Sequence, residues 1–158
     1  MMVMEKIDRD MAARVWKRVQ QASGQRETKK VPPEPPQLQE LIARAWVDEA
    51  LCRRLMSHYS GSDRMLLGEI SRQKQGCRAR LKGICAMQTG APPKIPAPPI
   101  PRGKPEELLR LCCDGTARCA AQLEQLAVMP DYGRECAEMA RQTYLQHRRL
   151  LGLLGKVK

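Results

Sequence analysis

The sequence predicts an all-α protein: a four-helix bundle of two helical hairpins joined by a long Pro-rich crossover, preceded by one extra N-terminal amphipathic helix. Three observations carry this expectation. Apolar residues recur every three or four positions in each long segment, the spacing that gathers side chains on one helical face. Two proline-rich stretches, at 24–36 and 91–104, interrupt that pattern. The segments on either side of the second stretch repeat each other's register.

The first expected helix covers residues 1–23, with Met4, Ile7, Met11, Val15 and Val19 in line. GQRETKKVPPEPP, residues 24–36, breaks it. Its four prolines lack the N–H a helix needs and fix an extended linker. The bundle is expected over 37–155. Its first helix runs from about 37 to 58, aligning Leu38, Leu41, Ile42, Ala45, Asp48, Glu49, Cys52, Leu55 and Met56. Gly61 ends the turn, and Ser62 or Asp63 offers a cap for the next helix. That helix ends near Met87 and stops at Thr89-Gly90, with Leu67, Ile70, Lys74, Cys77, Leu81 and Ile84 on one face. A crossover over 89–104 contains APPKIPAPPIPRGK, whose six prolines favour a stiff, extended path. At ~3.1 Å per residue it spans about 40 Å, the length of a bundle. Pro105 suits a first helical turn, and Glu106 and Glu107 complement the positive helix end. The third bundle helix runs to about Val128, aligning Leu109, Cys112, Thr116, Cys119, Leu123 and Leu126. After a Pro130-Asp131 turn, the last helix aligns Cys136, Met139, Thr143, Gln146, Leu150 and Leu153.

The repeat ties the hairpins together. Leu38, Leu41, Ala45, Cys52 and Leu55 match Leu109, Cys112, Thr116, Leu123 and Leu126 at one constant offset. Leu67, Ile70 and Leu81 match Cys136, Met139 and Leu150 at another. Two hairpins with a long crossover make one kind of four-helix bundle.

Composition narrows the function classes. No apolar run reaches the roughly 18 residues that a membrane span needs. The first residues carry charges among their apolar positions and read as no secretory signal. A cytoplasmic protein is expected, and seven cysteines without any CxxC pair fit reduced, buried thiols. The net charge of +11 is spread evenly: +3 over 1–36, +4 over 37–90 and +4 over 91–158. Dispersed charge with five aromatics and no Phe gives only weak support to nucleic-acid binding. No glycine-rich phosphate loop, HExxH or GxSxG occurs.

LQELIARAWVDEALCRRL, a short turn, then ISRQKQGCRARLKGICAMQTG resembles the first hairpin of bacterial ferritin-like, rubrerythrin-type proteins. The resemblance covers about 37–155. It implies a di-iron centre built from a Glu on each of two helices and a Glu-x-x-His on each of the other two. Carried onto this chain, the first Glu position falls on Ala45 and the second on Thr116. The two Glu-x-x-His pairs fall on Lys74 with Cys77 and on Thr143 with Gln146. None of the six keeps its ligand type. His147 lies one residue off the inward line, about 100° round the helix. The expectation is therefore a bundle with no bound cofactor or metal and no catalytic residues.

Lys74 then stands at the centre of an apolar stripe. A buried, unpaired ammonium costs several kcal/mol or loses its proton. Asp48 or Glu49, one helix over, is the expected partner in a buried ion pair. The other reading rotates the helix and lets Lys74 snorkel to the edge. Threading the hairpins antiparallel also puts Cys52 near Cys112, Cys77 near Cys119, and Cys85 near Cys136. That leaves two thiols per layer, short of a closed zinc site.

Three functions follow. The first is a non-catalytic structural or interaction module that self-associates or docks a protein partner through the N-terminal helix, which could equally pack on its own bundle. The second is a basic nucleic-acid-binding bundle. The third is a metal-binding oxidoreductase of rubrerythrin type with an altered site.

Overall fold

The computed structural model describes residues 36–156. The expected helix over 1–23, and the 24–36 linker up to its last residue, lie outside the described residues. Four α-helices follow in order: α1 (Pro36–Leu55), α2 (Gly61–Thr89), α3 (Pro105–Gln125) and α4 (Gly133–Leu154). No strand occurs among the described residues.

Helices α1 and α2 form one hairpin, α3 and α4 the other. Helix α1 also packs along α3, whereas α2 and α4 touch only thinly. On the described helices the stripes read from periodicity face inward. On α2, Leu67, Ile70, Lys74, Cys77, Leu81 and Ile84 are all buried, and α4 buries Cys136, Met139, Thr143, Gln146, Leu150 and Leu153. Each buried leucine contributes on the order of 2 kcal/mol through apolar area removed from water.

Helix ends follow local chemistry. The first helix is shorter than expected: regular geometry stops at Leu55, and Met56–His58 tightens into a 3-10 turn. The cap expected at Ser62 or Asp63 is corrected. Gly61 sits at φ +60, so the chain reverses there and enters α2 from Ser60, whose side chain makes no capping bond. At the far end Gly90 adopts φ +84 and donates its N–H to the Ala86 carbonyl at 2.7 Å. A left-handed residue closes a helix in this way because its N–H turns back onto an otherwise unpaired carbonyl. Helix α3 begins on Pro105, and the Lys104 N–H donates to the Glu107 carboxylate at 3.0 Å.

The crossover is an extended strap. Ile95 packs against one apolar cluster and Ile100 against the other. The Arg54 guanidinium donates to the Pro101 carbonyl at 2.7 Å. The strap thus travels the length of the bundle, as its proline content requires.

Candidate functional site

The core is divided. One apolar cluster joins Leu38, Leu41, Leu81, Leu123 and Met139 with their neighbours, and a second joins Leu51, Leu67, Ile70, Leu109 and Leu150. Between them in register on all four helices lies a polar layer. Asp48, Glu49, Ser71, Lys74, Thr116, Thr143 and Gln146 are buried there, with Ala45.

Lys74 occupies this layer at 3% exposure. Its Nζ donates to Thr116 Oγ1 at 2.9 Å. Thr116, not a carboxylate, is its direct partner. Glu49 points its carboxylate elsewhere: it forms ion pairs with Arg53 and, at 2.9 Å, with Arg78. Arg78 in turn stacks over Trp46, 4.9 Å from the ring centre. Lys74 therefore acts on Asp48 through the field across the layer, not through a contact ion pair.

Asp48 is 2% exposed, and its Oδ2 has no hydrogen-bond partner. Burial pushes its carboxyl up from 3.8 to about 6, and the attraction of Lys74 and Arg44 offsets that only in part. On Lys74, burial opposes the charge, but Cys112, Asp48, Cys52 and Cys119 together hold the ammonium above its usual range. A hydrogen bond to Cys112 and burial raise the Cys52 thiol, and burial raises Cys119 to about 12. Asp48 is the carboxyl among the groups that act on Lys74. Asp48 rests on Gly115: a Cβ at that position would lie 2.3 Å from Asp48 Oδ1. A cavity of about 350 Å³ opens between α1 and α3, lined by Glu40, Arg44, Asp48, Asp114, Gly115 and Arg118 among others.

The remaining positions close on themselves. Cys77 Sγ contacts Met139 Sδ at 3.4 Å, and Thr143 Oγ1 donates to the Met139 carbonyl at 2.7 Å. Gln146 Nε2 donates to Gln73 Oε1 at 3.0 Å. His147 is only half-buried, off the inward line, with Nδ1 3.2 Å from the Cys113 carbonyl. Glu69 and Glu138 lie outside the layer and pair with Arg149 and Arg80. Cys52 and Cys112 meet with sulfurs 3.3 Å apart, as the antiparallel threading places them.

This layer does not fit a pair of iron ions. Ala45, Lys74, Cys77, Thr116, Thr143 and Gln146 bring no carboxylate and no imidazole. Glu49 is engaged by two arginines, and an ammonium in the same layer repels a divalent cation. Among the described residues, no group of three or more His, Cys, Asp or Glu side chains is arranged to hold a metal.

Sequence reasoning missed the Lys74–Thr116 bond and the capture of Glu49 by Arg78. The first had a signal, since Thr116 and Lys74 both sit on the inward lines. The second had none, because Arg78 looks like one of five interchangeable cations in RQKQGCRARLKG.

Fold and site together define a helical bundle with a charged seam across its middle. Compared with family models, curated proteins and solved structures, the chain matches none. No described helix is long and apolar enough to cross a membrane.

Proposed function

We propose that this chain is a ferritin-like bundle that has lost its di-iron site and serves in the cytoplasm as a non-catalytic structural or interaction module. One observation carries the reading: Lys74 lies buried at mid-bundle, bonded to Thr116, where the resemblance calls for acidic metal ligands. A cation there takes over part of the positive charge that metal ions would bring. Asp48 is the carboxyl that acts on it across the layer. Self-association or partner docking is assigned to the amphipathic segment 1–23, whose apolar stripe and proline linker separate it from the bundle in sequence.

Elemental analysis and solution mass on the untagged, full-length protein test this together. Iron and manganese well below one atom per chain are expected. A mass above that of one chain should fall to one when residues 1–23 are removed. Stoichiometric iron or manganese overturns the reading and favours an altered oxidoreductase. Retention on DNA that collapses with rising salt would instead favour the nucleic-acid alternative, because phosphate contacts release counterions.

A further inference from the structure

The reading above leaves Cys52 and Cys112 without a task. They stand on α1 and α3, one in each hairpin and 60 residues apart in the chain. Both are wholly buried, and their Sγ atoms lie 3.3 Å apart. Each is one helical turn from the charged layer: Cys52 follows Asp48, and Cys112 precedes Thr116. Cys112 Sγ also lies 3.9 Å from the Asp48 carbonyl oxygen. The cavity between α1 and α3 is walled by Leu51 and Leu111, the chain neighbours of the two cysteines. The same cavity reaches Asp48, one turn from Cys52, and neither sulfur lines it.

We propose that Cys52 and Cys112 form a reversible disulfide when the protein meets a peroxide, tying the first hairpin covalently to the second. A disulfide holds its sulfurs about 2.0 Å apart, so the pair must close by about 1.3 Å, a small side-chain adjustment between facing positions. In the first step one cysteine, as its thiolate, attacks an oxygen of hydrogen peroxide. The O–O bond breaks, hydroxide leaves and takes up the thiol proton as water, and a sulfenic acid remains. The second sulfur then attacks the sulfenic sulfur, forming the S–S bond and releasing a second water. The two thiols give up two electrons and two protons, and one peroxide becomes two waters. The hydrogen bond to Cys112 and burial raise the Cys52 thiol, so formation through its thiolate is slow, and burial slows reduction of the finished bond as well.

The test exposes reduced full-length protein to hydrogen peroxide under native conditions. Free thiols are then blocked after denaturation, and the peptides are mapped without reductant. Trypsin releases Cys52 in AWVDEALCR and Cys112 in LCCDGTAR. The second peptide also carries Cys113, so fragmentation, or the Cys113→Ser variant, assigns the link. The expected result is a linked pair through Cys112, two hydrogens lighter than the sum of the peptides. It appears intramolecularly, raises the denaturation midpoint, and reverts with dithiothreitol. Cys113→Ser keeps the link and Cys52→Ala abolishes it. Should Cys52→Ala not fold, the map of Cys113→Ser alone decides. Full blocking of Cys52 and Cys112 after prolonged oxidation, a link through Cys113, or sulfinic acids in place of the link would each overturn the proposal. None of these outcomes depends on whether the bundle binds metal, so the inference stands or falls apart from the functional reading.

Discussion

Asp48 shows what a single buried carboxyl does to the whole chain. It has no hydrogen-bond partner for Oδ2, and its ionised form is opposed by burial more than it is helped by Lys74 and Arg44. Its pKa is therefore about 6 in the folded protein against 3.8 in the open chain. Below pH 3.8 the group is protonated in both states and costs nothing. As pH rises from 3.8 toward about 6, the unfolded chain releases its proton first, so folding loses stability across that window. Above it the loss is complete, on the order of 3 kcal/mol at most. Asp48→Asn should therefore stabilise the protein at pH 7 and leave it nearly unchanged near pH 3.5. Denaturant midpoints of both proteins across pH 3 to 8 measure this. A variant less stable than the parent at pH 7 would mean that Lys74 depends on Asp48 more than burial penalises it. Taking the difference between the two proteins cancels the contributions of the groups they share.

Gly115 of α3 faces the Asp48 side chain of α1, and the missing Cβ leaves room for that carboxyl. Gly115→Ala should push the Asp48 carboxyl or part the helices, lowering stability by about 1–3 kcal/mol. Combining it with Asp48→Ala, which vacates the space, should recover part of that loss in thermal unfolding. How much of this was legible in the sequence depends on the kind of signal. The four helices, their inward stripes and the strap follow from periodicity and proline placement, which act within one segment. The Cys52–Cys112 contact followed once the hairpins were threaded, because register fixes depth along a bundle. The choice of Thr116 over a carboxylate for Lys74, and of Glu49 for Arg78, did not follow. Those pairings depend on side-chain direction around facing helices, and neither Asp48 nor Glu49 announces from spacing alone which of the two turns toward Lys74. The early start of α2 was hidden as well, since a positive φ at Gly61 is a backbone event that periodicity does not report.

Across the whole molecule, the polar layer separates two apolar clusters. Leu81 belongs to one and Leu109 to the other, and both are wholly buried. Leu81→Ala and Leu109→Ala should each cost about 2–5 kcal/mol. Their double variant should sum to within about 0.5 kcal/mol, as for sites sharing no partners. Equilibrium unfolding of the three variants checks both statements, and a large coupling energy would show one continuous core instead of two. The strap carries a further consequence. It is held at both ends, by Ile95 on one cluster and by Ile100 with the Arg54–Pro101 bond on the other. A stiff tether matched to its span keeps the second half of the chain beside the first at an effective concentration in the ~mM range. A neighbouring copy offering its own half must compete with that local excess, so exchange of halves between molecules is suppressed wherever the protein is dilute.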